Sequence, residues 1–131
     1  MYNKTIMEIF ANPKNVGIIQ GAIGTGHFVN ETTNNIYKIY LKIEEDVIVD
    51  ATFKTFSNAY GIAVCSVLTQ MSKGKSLLEA KLINEQDILD KIGKTDQEIE
   101  IIKDILQTLN LAFVDYDKKL QKLLKLQKIN G

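Results

Sequence analysis

The chain has 131 residues, 45% hydrophobic and 24% charged, which suffices for one core and is too short for two ordinary domains; a single soluble domain over 1–131 is expected. Sixteen basic residues, all lysine, balance sixteen acidic ones, and without arginine forks nucleic-acid recognition is not expected. One cysteine, Cys65, and one histidine, His27, exclude an intrachain disulfide, a CxxC zinc site and an HExxH pair. No window approaches about 18 uninterrupted apolar residues, and Lys4 and Glu8 interrupt the N-terminal "MYNKTIMEIF", so the expectation is a cytoplasmic protein with no membrane association.

In chain order, Asn3 is a cap candidate and apolar positions 6, 7, 9 and 10 predict a short helix, ended by Pro13 and Gly17 in "ANPKNVG". Residues 18–35, "IIQGAIGTGHFVNETTNN", hold Gly21, Gly24 and Gly26 and then a polar run from Asn30. They predict a flexible segment with one short edge strand, and no GKS/T follows to make a phosphate loop. Alternation then sets in, with Tyr37, Ile39, Leu41 and Ile43 on one face, and Val47, Val49, Ala51 and Phe53 repeating the pattern after "EED". This predicts a β-hairpin with one buried face.

After the polar turn in "FKTFSNAYG", residues 53–61, the spacing becomes helical through Ile62, Val64, Cys65, Leu68 and Met71 until "SKGK". Cys65 in that pattern reads as a small core hydrophobe, with a replacement ligand as the sharper alternative. Short helices are predicted at 76–82 and 85–92, and Thr95–Glu98, "TDQE", has capping-box spacing. Behind it Ile102, Ile105, Leu109, Phe113, Leu120 and Leu124 keep a 3.6-residue stripe for about six turns, which predicts a long closing helix. Its late lysines, Lys118 to Lys128, complement the helix dipole or offer a docking surface to an acidic partner. The expected fold class is α+β: a small, mostly antiparallel sheet packed by helices on one face, the C-terminal helix supplying much of the core. Ser57 and Thr33 are nucleophiles only in the generic sense and His27 is a single base, so no catalytic activity of its own is expected.

Several strings resemble the NifU/IscU-type iron-sulfur cluster assembly scaffold family. "ANPKNVG" at 11–17 is similar to that family's "ENPRNVG", "FKTFSNAYGIA" at 53–63 to "FKTYGCGSAIA", and "AFVDYDKK" at 112–119 to "AIADYKSK"; "KGKSL" at 73–77 recurs unchanged. These anchors span nearly the whole chain in the family's order, with one small deletion near Glu45. The resemblance implies the family fold, an iron-sulfur cluster held by three cysteine thiolates, and a cysteine desulfurase or a true scaffold protein as partner.

On that pattern Thr33 stands at the first cysteine and Asn35 at the family's aspartate, Asn58 at the second cysteine and Ile101 at the third. Glu98 and Glu100 stand where the family has lysine and histidine, and Tyr60 replaces a small residue in a way that fills vacated space. With all three thiolates missing, the expectation is a degenerate scaffold that docks partners, with no cofactor in the isolated protein. One alternative is a divalent-metal module in which Asn35, Asn58, Glu98, Glu100 and His27 converge, although two glutamates in a helix's first turn need no metal to explain them. The other is a repurposed structural or oligomerising domain.

Overall fold

A computed structural model describes residues 2–93 and 99–130. The first helix, α1 (Lys4–Ala11), starts where Asn3 takes an extended backbone and its Oδ1 accepts the Ile6 N–H at 2.8 Å. α1 buries Ile6 and leaves Met7 and Phe10 substantially exposed. The chain then runs beside the sheet: Gly17 N–H donates to Phe53 O at 2.8 Å and Phe53 N–H to Asn15 O at 2.9 Å.

Three antiparallel strands follow as a meander, β1 (Gly24–Asn30), β2 (Asn35–Glu44) and β3 (Val47–Phe56), with β2 central. β1 is a full seven-residue strand, more ordered than a flexible segment would be, and its glycines are not loop glycines. Gly24 and Gly26 face inward, opposite Leu41 and Ile39, and bring the backbone of the last helix directly onto the strand. A β-carbon on Gly24 would lie 2.8 Å from Ala112 O.

The hairpin register carries a bulge. Lys42 pairs with Asp50 but Ile43 with Ile48, so Val49 is the extra residue on β3. Strict alternation over 47–53 is thereby corrected: Ile48, Ala51 and Phe53 are buried, while Val49 is exposed.

Four more helices follow, α2 (Ala59–Ser72), α3 (Leu77–Lys81), α4 (Glu85–Ile92) and α5 (Ile99–Asn130); α2 and α5 pack on the sheet, and α4 packs on those two helices. Capping boxes start α3 and α4, where Ser76 pairs reciprocally with Glu79 and Asn84 with Asp87. The "TDQE" box at 95–98 lies outside the described residues. Tyr37, Ile39 and Leu41 of β2, Val64 and Leu68 of α2, and Ile102 and Ile105 of α5 belong to one continuous core. One face of α5 is buried from Ile101 to Phe113, but Leu123 and Leu124 are half exposed. The reason is the length of the sheet, since Gly24, the first residue of β1, already lies under Ala112 and Tyr116 and nothing of β1 continues beneath the later turns.

Candidate functional site

Three chain segments meet at one end of the sheet. The β1–β2 turn carries Thr33 and closes at the Asn30–Asn35 pair. β3 ends next to it, because Ile36 pairs with Phe56, and leads through Ser57 to Asn58. The start of α5 is tied to the same end by Asn30 Nδ2, which donates to Asp104 Oδ2 at 2.8 Å, three residues beyond Ile101. The positions that the resemblance matches to the family's three cysteines therefore lie on neighbouring segments.

Each of the three has a structural task. Thr33 Oγ1 accepts the Asn35 N–H at 3.3 Å, and the Thr33 N–H donates to Asn30 Oδ1 at 3.2 Å, so the residue is used in building a tight turn. Asn34 completes that turn in the left-handed region, at φ 62°, with its N–H on Asn30 O at 2.8 Å. Asn58 caps α2: its backbone is extended and its Oδ1 accepts the Gly61 N–H at 3.0 Å. Ile101 is 9% exposed and belongs to the core.

Around the Asn58 turn the packing is close. Thr55 Oγ1 donates to Ile36 O at 2.7 Å and lies 2.9 Å from Ser57 Oγ, and a β-carbon on Gly61 would stand 2.3 Å from that Ser57 oxygen. Tyr60 is 1% exposed, with its ring stacked on Tyr2 at a centroid distance of 6.4 Å, so a large side chain occupies the core next to the cap. Sequence reasoning did not single out Gly61 or Thr55; the signal was the glycine in "NAYG" directly inside a helical pattern.

Cys65 lies two turns into α2 and is fully buried. Desolvation pushes its thiol far above the ordinary value, so it is a poor source of thiolate. The three matched positions thus offer neutral oxygens already engaged by backbone N–H groups and an isoleucine, a donor set that does not fit an iron-sulfide cluster.

The residues named for a harder ion are dispersed. His27 projects from the outer face of β1, opposite Lys38, whereas Asn35 lies on the inner face and its Nδ2 donates to Tyr37 OH at 3.1 Å. Glu100 is exposed and pairs with Lys103 at 3.6 Å. Glu98 lies outside the described residues. Among the described residues no group of three or more His, Cys, Asp or Glu side chains is placed to hold a metal ion, and no helix is long and apolar enough to cross a membrane.

The profile of the family described as NifU-like N terminal domain matches residues 1–123. The iron-sulfur cluster assembly scaffold protein IscU of Aquifex aeolicus is 36% identical over 131 residues, covering 98% of this chain and 83% of the relative. An IscU scaffold of Archaeoglobus fulgidus is 33% identical over 130 residues, covering 98% of this chain and 85% of the relative. Among solved structures, the N-terminal NifU-like protein of Brucella abortus superposes with a TM-score of 0.72 at 15% identity, over 89% of this chain and 94% of that one, a likeness of fold.

Proposed function

We propose that this chain, which belongs to the NifU-like N-terminal domain family, is a degenerate member of a group of cluster-assembly scaffolds. In this reading it acts by docking a cysteine desulfurase or a true scaffold, without catalysis of its own and without holding a cluster alone. The observation that carries the reading is the reassignment of the three thiolate positions: Thr33 to a turn, Asn58 to a helix cap and Ile101 to the core.

A docking role draws support from the outer face at the same end of the sheet. Val29, Ile36 and Phe56 form one cross-strand row, and Val29 and Phe56 are 45% and 74% exposed. An apolar row of this kind at the rim of the site suits a protein partner.

Anaerobic reconstitution with ferrous iron and sulfide, followed by desalting and metal analysis, tests the absence of a cluster. Iron and sulfide bound in equal, stoichiometric amounts would overturn it. Co-purification with a cysteine desulfurase, and separately with a cysteine-bearing scaffold, tests docking, with the exposed-face variant Phe56→Asp expected to abolish it. If neither protein is retained, the docking reading fails.

A further inference from the structure

Two of the family-like strings, "ANPKNVG" and "KGKSL", lie outside the three thiolate positions, and they converge in space. Asn15 Nδ2 donates to Thr69 Oγ1 at 3.1 Å and to Gln70 Oε1 at 3.2 Å, and its Oδ1 accepts from Lys73 Nζ. This knot closes one wall of a groove of about 720 Å³ between the end of α1, the second half of α2 and the end of α4.

The groove has an apolar part, Ile9, Val67 and Met71, and a basic one, Lys14, Lys73, Lys75 and Lys91. Lys73 is engaged with Asp50 at 3.4 Å, but Lys14, Lys75 and Lys91 form no ion pair among the described residues. Among the described residues Glu8 is the one carboxylate lining the groove, and it lies 3.8 Å from Lys4. Glu79, Asp87 and Asp90 border Lys75 and Lys91 in an adjoining depression and temper the positive field there.

A buried hydroxyl lies beside the lysines. Ser66 lines the groove at 4% exposure, and its Oγ accepts the Lys14 N–H at 2.8 Å. Its own hydroxyl hydrogen has no acceptor among the described residues.

We propose that this groove binds a small organic anion, a phosphate or carboxylate head on an apolar body. Lys14, Lys75 and Lys91 face the head, the Ser66 hydroxyl donates to it, and Ile9, Val67 and Met71 contact the body. Ammonium groups on flexible stems suit such a head as point charges. The groove lies on the second half of α2 and Asn58 at its start, about 12 Å along the helix from Ser66, so the inference does not rest on the docking reading.

The test is a ¹H–¹⁵N NMR titration of the full chain at low ionic strength with hexyl phosphate, hexanoate, hexanol and inorganic phosphate. Saturable shifts at Lys14, Ser66, Val67 and Met71 are expected with hexyl phosphate or hexanoate, and the tighter of the two assigns the head group. The doubly charge-reversed variant Lys14→Glu/Lys91→Glu, altered only at exposed positions, is expected to bind about tenfold more weakly. Ser66→Ala is expected to weaken the anion and leave hexanol unchanged. No saturable shift at these residues, equal affinity for hexanol, or unchanged affinity in the charge-reversed variant would each overturn the proposal.

Discussion

A β-carbon built on Gly26 would stand 2.0 Å from the carbonyl oxygen of Thr108, so β1 and α5 meet backbone to backbone. Gly26→Ala must part the strand from the helix, an overpacking that costs about 3 kcal/mol or more. Urea unfolding followed by circular dichroism measures it. A loss below about 1 kcal/mol would mean that the helix lies farther from the strand.

Asn58 Oδ1 satisfies the Gly61 N–H, and the neutral thiol of a cysteine at this position is a weak acceptor in its place. Asn58→Ala is expected to lose about 1 kcal/mol, Asn58→Ser much less, and Asn58→Cys about as much as alanine. The ordering of the three midpoints in urea checks the role of the cap.

Restoring cysteine together at Thr33, Asn58 and Ile101 is expected to yield a less stable protein that binds iron and sulfide, since these positions lie on adjoining segments. A folded triple variant that stays colourless after anaerobic reconstitution would break the correspondence of positions on which the functional proposal rests.

For Cys65, full burial and a thiol pushed upward by desolvation predict that iodoacetamide leaves the native protein unlabelled and reacts after addition of guanidinium. Cys65→Ala costs about 1 to 2 kcal/mol through the space it leaves and keeps partner binding intact. Rapid labelling of the native protein would contradict the core placement.

Asp115 predicts a pH effect. Partial burial pushes its carboxyl up, but the hydrogen bonds from Lys119 and from the Thr25 N–H, with the Lys119 and Lys118 charges, outweigh this and hold it below the ordinary value. A group lowered on folding stabilises the protein above its unfolded value, and that contribution is lost as pH falls through the ordinary carboxylate range toward the folded value. Asp115→Asn is therefore expected to flatten the loss of stability in mild acid while lowering stability at neutral pH. Chemical denaturation at a series of pH values checks both.

Much of this molecule was fixed by local chemistry that a sequence displays. Asn3 before an apolar pair specifies a helix start, the alternation of Tyr37, Ile39 and Leu41 a half-buried strand, and Ile102, Ile105 and Leu109 a helix face, because each depends on the period of one element. The resemblance of the family-like strings further matched Thr33, Asn58 and Ile101 to the positions where that family carries cysteine. What those positions do instead could not be read locally: the Asn58 cap requires the turn of α2 above it, and the burial of Ile101 requires a sheet to pack against. β1 looked like a flexible glycine-rich segment because its ordering comes from a helix more than 80 residues away, which rests on Gly24 and Gly26. The Val49 bulge, the exposure of Leu123 and Leu124, and the placement of Lys14 and Lys75 along one groove have the same origin. Periodicity assigns a residue to a face, whereas the length and register of neighbouring elements decide whether anything lies against that face.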